Sequence, residues 1–244
     1  VAGFTGKAIE DGLAAQGIHT DFIHLPEGNS RINVKVKHGD ETEINGQGPV
    51  ITEEAINELF AKLATLTKED ILVLAGSIPN TLPEDIYEKI LARLESKGIR
   101  VVVDATKDLL LNVLKYHPFL IKPNNHELGE MFGTVCKTDE DIVHYAKKLQ
   151  EKGAVNVLIS MAGDGAILIT EDGQNIKMGT PKGKVVNSVG AGDSMVAGFI
   201  TGYIRGGNYE EALKSGTAAG SATAFSEGLA SLEMYEKMLK QITE

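Results

Sequence analysis

Cysteine and tryptophan are nearly missing from this 244-residue chain, which has one cysteine, Cys136, and no tryptophan. A single cysteine excludes an internal disulfide and agrees with a reducing compartment. Tyrosine and phenylalanine are also scarce, which argues against a stacking surface for single-stranded nucleic acid. Neither a signal peptide nor an apolar run long enough to span a bilayer is found, so we expect a cytoplasmic protein that does not contact membranes.

Positive charge is in the minority, with 24 Lys and Arg against 34 Asp and Glu and a net charge of −10. This balance disfavours binding of DNA or RNA through bulk electrostatics. An anionic substrate would therefore need a locally placed cation. Hydrophobic residues at 42% and charged residues at 24% are ordinary for a globular protein of this length, so a substantial core is expected.

Apolar residues at helical spacing alternate along the chain with short runs of Val, Ile and Leu. Helical spacing covers residues 8–15, 56–63, 86–94, 143–149 and 212–225, and strand patterns cover residues 18–25, 71–74, 101–104, 119–121 and 155–159. We expect residues 71–74 to form a buried strand. The alternation predicts an α/β fold with a parallel sheet covered by helices on both faces.

Two segments break this alternation. Residues 31–37 alternate apolar and polar side chains, and with residues 41–45 after a Gly39-Asp40 turn they predict an antiparallel hairpin. Residues 166–178 predict two short strands joined at Asp172-Gly173. Because no linker or internal repeat is found, we expect one domain over residues 1–244.

The most informative motif is Asn-Ser-Val-Gly-Ala-Gly-Asp-Ser at residues 187–194, which leads into an apolar helix pattern. Bare amides at a helix start can hold a developing anion, and Asp193 can take a proton from an attacking hydroxyl. That chemistry suits phosphoryl transfer to an alcohol. The alternative is an ordinary helix start, where acidic residues are favoured in the first turn.

Residues 187–200 resemble the C-terminal signature of the ribokinase-like (PfkB) sugar kinases. The resemblance implies a three-layer α/β sandwich with a mostly parallel central sheet, and a small β lid at about residues 28–48. It implies an anion hole at Gly190, Ala191 and Gly192, with Asp193 as the catalytic base. It also implies an N-terminal segment with a Gly-Gly-Lys-Gly-like sugar motif. That motif is not found here, so we expect the family fold without that segment.

The resemblance also implies ATP and Mg²⁺ sites. Asn124 and Glu127 would organise Mg²⁺, and Lys122 would point toward the nucleotide, although Asn124 and Glu127 also match a capping box at a helix start. Further ATP contacts are implied for Ser160, Met161, Ala162, Gly163, Asp164, Gly165, Lys182, Gly216 and Ala219. The alternatives are a tight turn at residues 160–165, a solvated Lys182, and close helix packing at Gly216 and Ala219.

The expected substrate class depends on Arg31, because a guanidinium makes forked hydrogen bonds to a phosphate. The resemblance implies that Arg31 and Asn33 in the lid contact a phosphosugar, together with the turn at Gly76 and Ser77. The alternative is an exposed strand arginine. Asp104, at the end of a strand pattern, is taken as a structural acid.

These features predict an enzyme that transfers the γ-phosphoryl of ATP to a ketohexose phosphate. The expected acceptor is fructose 1-phosphate, giving fructose 1,6-bisphosphate, with tagatose 6-phosphate as the alternative. An alternative of another class is a catalytically silent nucleotide-binding fragment. We also expect a homodimer formed through the edge of the lid hairpin.

Overall fold

The computed structural model describes residues 1–38 and 40–243. For Lys37, His38, residues 40–43, Lys107 and Thr243, only the backbone is described. The chain divides into two compact units, one comprising Val1–Asp70 with Ser77–Ile99, the other Ile71–Gly76 with Arg100–Glu244. In the described part of the chain, no helix combines the length and apolarity needed to cross a membrane.

In its described residues, the first unit contains three α-helices and a hairpin. These elements are α1 (Gly3–Ala15), β1 (Asn33–His38), β2 (Asp40–Asn45), α2 (Glu53–Ala64) and α3 (Ile86–Leu94). β1 and β2 pair antiparallel, from Asn33 opposite Asn45 onward, as the alternating pattern predicts. The Gly39-Asp40 turn includes Gly39, which lies outside the described residues. The guanidinium of Arg93 in α3 stacks 3.5 Å above the Phe60 ring of α2, which ties these two helices together.

The strand predicted over residues 18–25 is wrong. Leu25 makes an isolated parallel bridge with Ala2, and its amide donates to the Val1 carbonyl at 2.9 Å. The Val1 amine in turn donates to the Ile23 carbonyl at 2.7 Å. A strand requires a ladder of successive bridges, and the described residues supply one bridge here.

The second unit is built on a six-stranded sheet. Its strands, in spatial order, are β3 (Ile71–Ala75), β4 (Arg100–Asp104), β5 (Leu120–Ile121), β6 (Asn156–Ser160), β7 (Ala166–Ile169) and β8 (Asn175–Met178). β3 to β6 pair in parallel, whereas β7 and β8 are antiparallel. The helices are α4 (Lys107–Val113), α5 (Asn125–Met131), α6 (Asp139–Glu151), α7 (Ala191–Gly206), α8 (Tyr209–Ala224) and α9 (Leu232–Thr243). The predicted α/β class is therefore confirmed.

Helices cover both faces of this sheet. α7 and α8 bury Met195, Phe199 and Leu213 against one face, which includes Leu120 and Leu158. Neighbouring strand residues point to the opposite face, where α5 and α6 contact β6.

The burial predicted for residues 71–74 is wrong. β3 ends the strand order, so in the described sheet it pairs with β4 alone, and only Leu74 is buried. Val73 is 41% exposed.

Candidate active site

The parallel strands bring three polar residues to one edge of the sheet. Asp104 ends β4, Lys122 follows β5, and Ser160 ends β6. Ligands of open α/β sheets bind beyond this carboxyl edge. Lys122 is buried, and its Nζ lies 3.3 Å from Asp104 Oδ1. Burial raises the pKa of Asp104 above its ordinary value, and the Lys122 charge opposes the rise.

Two further carboxylates act on this edge. The charges of Asp193 and Glu127 add to the rise in the pKa of Asp104. Four charged side chains, three acidic and one basic, are therefore electrostatically coupled beyond the ends of β4 and β5.

The N-terminus of α7 is open to an anion. Its N-cap residue, Gly190, has φ 81° and ψ −3°, a left-handed conformation that suits glycine, and it has no side chain to cap the helix. The Ala191 amide donates to the Ser188 carbonyl at 3.2 Å. The Gly192 and Asp193 amides are then the first-turn donors that a helix leaves without an intrahelical acceptor. Of the three anion-hole residues predicted, Ala191 has an amide that is already engaged, whereas the Gly192 amide lies in the open first turn.

Lys122 lies against this first turn. A methyl group placed on Gly192 would lie 3.2 Å from Lys122 Nζ, so a larger residue at position 192 would press on the ammonium. The structure thus brings Lys122, Asp104 and the predicted anion hole together.

The Asp193 side chain faces outward, not into the apolar interior. It is exposed and, with Asp104, lines a cavity of about 350 Å³. The other walls are apolar and come from β3 and α7, at Val73, Ala75, Val196, Ala197 and Ile200. An accessible carboxylate at this position has room to accept a proton from a bound hydroxyl.

Asn124 and Glu127 form the capping box that the sequence predicts. Asn124 Oδ1 accepts from the amides of His126 (2.9 Å) and Glu127 (2.8 Å), while Glu127 Oε2 accepts from the Asn124 amide (2.8 Å). Both lone pairs of the Asn124 oxygen are thereby used, and one Glu127 carboxylate oxygen remains.

The donor chemistry of Glu127 fits Mg²⁺, which prefers oxygen ligands and keeps several waters. Asn124 fits only if its oxygen gives up a capping bond. Within residues 1–38 and 40–243, no group of three or more His, Cys, Asp or Glu side chains could hold a metal. The magnesium site stays a prediction.

The turn after β6 lies beside Asn124. Asn124 and Ser160 form an isolated parallel bridge, and the Met161 amide closes the turn on the Gly165 carbonyl at 2.8 Å. Within the turn, Ala162, Gly163 and Asp164 are exposed. Their part in ATP binding stays a prediction, as does that of Lys182, whose side chain is exposed.

Gly216 and Ala219 face α7. A methyl group on Gly216 would lie 2.9 Å from the Met195 carbonyl oxygen, and one on Gly198 would lie 2.6 Å from Ala219 Cβ. Close helix packing, the alternative in the sequence analysis, is therefore present at both residues. A role for them in ATP binding stays a prediction.

The residues predicted to bind the acceptor fall in both units. In the first unit, Arg31 Nη2 donates to Ser77 Oγ at 3.3 Å, and Asn33 opens β1. In the second unit, the Gly76 amide donates to the Asp104 carbonyl at 3.2 Å. Arg31 lies two residues before the start of β1, so it is exposed but is not part of a strand.

Asp104 is the residue that sequence reasoning undervalued. Its strand-end position predicts a structural acid, but in the structure Asp104 pairs with Lys122 and also lines the same cavity as Asp193. The available signal was its place at the carboxyl end of a parallel strand, the edge where Lys122 also emerges.

Comparison with known proteins defines the class of enzyme. The profile of the pfkB family carbohydrate kinases matches residues 2–234. The 1-phosphofructokinase of Bacillus subtilis (strain 168) is 49% identical over 242 residues, which are 99% of this chain and 79% of that protein. The D-tagatose-1-phosphate kinase of Bacillus licheniformis is 38% identical over 241 residues, 98% of this chain and 79% of that protein.

A solved structure agrees with these relatives. A Staphylococcus aureus protein described as a candidate phosphofructokinase superposes with a TM-score of 0.89 and 45% identity, over 99% of this chain and 78% of that chain. The fold and the sequence matches together define an ATP-dependent sugar kinase with a ribokinase-like fold. This chain belongs to the pfkB family of carbohydrate kinases. The family predicted from residues 187–200 is confirmed.

Proposed function

We propose that this kinase transfers the γ-phosphoryl group of ATP to fructose 1-phosphate, giving fructose 1,6-bisphosphate and ADP. The observation that carries the proposal is the exposed Asp193 carboxylate in the first turn of α7, on the cavity it shares with Asp104. The 49% sequence identity with the Bacillus subtilis 1-phosphofructokinase supports the choice of acceptor.

In the proposed step, the C6 hydroxyl oxygen of the sugar forms a bond to the γ-phosphorus. The bond between that phosphorus and the β,γ-bridging oxygen breaks, and ADP leaves with its electrons. Asp193 accepts the hydroxyl proton. The Gly192 amide and the Lys122 ammonium stabilise the charge on the transferred group, with Gly190 and Ala191 shaping the turn.

Glu127, with Asn124, would hold Mg²⁺, which neutralises phosphate charge when it is bound. The remaining carboxylate oxygen of Glu127 supports this assignment. The exposed turn at residues 162–164 and Lys182 would contact ATP, and a glycine in that turn allows close approach of a phosphate.

Arg31 would bind the phosphate that the acceptor already has. Its guanidinium is exposed and is oriented by Ser77 at 3.3 Å, which leaves further donors for a phosphate. Asn33 and Gly76 would contribute to the sugar side of the site. A second acceptor, tagatose 1-phosphate, is favoured by the Bacillus licheniformis relative, and tagatose 6-phosphate remains the alternative from the sequence.

We also propose a homodimer formed through the β1–β2 hairpin, in which the partner covers the apolar face of the hairpin as well as pairing with its edge. Val34, Val36 and Ile44 are 46%, 44% and 60% exposed, and strand alternation places them on one face.

We also propose a cytoplasmic location for this kinase. Its use of ATP supports that location, as does its single cysteine, which is typical of proteins in a reducing compartment.

The deciding experiment is an acceptor panel measured as ADP release under identical conditions. It compares fructose 1-phosphate, fructose 6-phosphate, tagatose 1-phosphate, tagatose 6-phosphate and free fructose. The proposal expects the highest kcat/KM with fructose 1-phosphate. A higher value with another acceptor contradicts it, and ATP binding without transfer to any acceptor favours the silent nucleotide-binding alternative.

A further inference from the structure

Asp104 and Lys122 form a largely buried ion pair at the carboxyl edge of the sheet. The Lys122 side chain is 7% exposed, the Asp104 side chain is 20% exposed, and their charged atoms lie 3.3 Å apart. A buried ammonium without a partner is strongly disfavoured, so the carboxylate decides where this ammonium rests.

Paired strands position both residues of the ion pair. Asp104 ends β4, and its carbonyl accepts from the Gly76 amide at 3.2 Å. The Lys122 amide donates to the Val103 carbonyl at 3.4 Å, which continues the register of β4 and β5. The pair is therefore fixed by two neighbouring parallel strands.

The ammonium also meets the first turn of α7. A methyl group on Gly192 would lie 3.2 Å from Lys122 Nζ and 3.7 Å from its Cε. The buried cation and the free first-turn amides therefore favour a negative charge at the same place.

We propose that Asp104 is a positioning residue for phosphoryl transfer, because its carboxylate holds the Lys122 ammonium against Gly192, where the transferred group develops charge. Asp104 acts through Lys122 and needs no contact with either substrate. This inference rests on the proposed function, which supplies the anion that Lys122 meets.

The kinetic test compares Asp104→Asn, which removes the charge at nearly constant size, with Asp104→Glu, which keeps it. We expect Asp104→Asn to lower kcat on the order of 100-fold, as misplacement of a reacting group by about 1 Å does, while KM for fructose 1-phosphate changes little. Asp104→Glu should recover part of kcat. Asp139→Asn removes an exposed pair with Lys177 and should leave kcat unchanged.

A second readout does not depend on the acceptor. Acetylation of Lys122, followed by mass spectrometry, should be slow in the wild-type protein and in Asp139→Asn, and faster in Asp104→Asn. The inference is overturned if Asp104→Asn retains kcat, if Asp104→Glu is no better than Asp104→Asn, or if Lys122 acetylation is unchanged. A wild-type protein inactive with every phosphosugar contradicts the proposed function, and the acetylation rates then decide the inference.

Discussion

Asp193 and Glu210 occupy the same kind of position, the first turn of a helix, in very different settings. The start of α8 is closed by its own N-cap, because Asn208 Oδ1 accepts from the Glu211 amide at 2.8 Å. The start of α7 has glycine at the N-cap and no side-chain cap. Acidic residues suit any helix start, but an open start beside a buried ammonium favours an anion from outside the helix.

Among single residues, Arg31 is the one proposed to bind the phosphate of the acceptor. Arg31→Lys should raise KM for fructose 1-phosphate about tenfold, with little change in kcat, because lysine loses the forked hydrogen bonds to phosphate. Steady-state kinetics measures both constants. The matched control is Arg205→Lys, in the last turn of α7, which should leave KM unchanged. An unchanged KM in Arg31→Lys would remove Arg31 from the acceptor site.

Single residues also show how far sequence reasoning extends. The capping box of Asn124 and Glu127 was predictable because it depends on residues three positions apart. The partnership of Asp104 with Lys122 was not, since it depends on which strands are neighbours in the sheet. The close approach of Lys122 to Gly192 depends in addition on where α7 begins.

At the scale of elements, the start of α6 makes a pH-dependent contribution to stability. Asp141 accepts hydrogen bonds from the amides of Lys137 and Thr138, and these lower its pKa from the ordinary 3.8. The folded state therefore favours the carboxylate. The stabilisation that the Asp141 carboxylate gives the folded state is fully present above pH 3.8, and it is lost as the pH falls through the lower pKa of the folded state.

We therefore expect Asp141→Asn to reduce the free energy of unfolding at pH 7, with a smaller difference from wild type at the lowest pH where both proteins fold. Urea unfolding at the two pH values measures this difference. Glu140→Gln, in the same helical turn, is the control. A difference that does not shrink on acidification would argue against the cap.

The contact between α7 and α8 is close at Gly198 and leaves no room for a larger side chain. A methyl group on Gly198 would lie 2.6 Å from the Ser215 carbonyl oxygen, so Gly198→Ala should reduce the free energy of unfolding by about 1–3 kcal/mol. Gly12, inside α1, has nothing within 4 Å of that position, so Gly12→Ala should stabilise by about 0.5–1 kcal/mol. Urea unfolding measures both, and equal effects would contradict the packing described.

Among the elements, sequence-based prediction was wrong where the pairing of strands decides whether a strand forms or is buried. Residues 18–25 have a strand-like pattern but form one isolated bridge, and residues 71–74 form a strand at the end of the sheet order. Helix periodicity and turn residues are local, so the helices over residues 56–63 and 86–94 were predictable. Burial of a strand depends on neighbours that a local pattern does not contain.

At the scale of the whole molecule, the proposed homodimer predicts a change in mass. Ile44→Lys places a charge on the apolar face of the hairpin and should convert dimers into monomers in sedimentation experiments. Asn45→Lys, which strand alternation puts on the other face, is the control and should remain dimeric. A wild-type protein that stays monomeric at high concentration would contradict the proposal.

The fold class and the family of the whole molecule were predictable because each depends on many residues. The alternation of helices and strands averages over local errors, and the signature at residues 187–200 places its glycines and Asp193 at fixed spacing. The division into two compact units was not predicted, since it depends on long-range contacts.

The most direct test of the account is the kcat of Asp193→Asn, measured with ATP and fructose 1-phosphate beside Glu210→Gln, a carboxylate in the first turn of α8. If Asp193 accepts the proton of the attacking hydroxyl, its replacement should lower kcat by about two to four decades, whereas Glu210→Gln should match wild type. Near-normal turnover by Asp193→Asn would contradict the account.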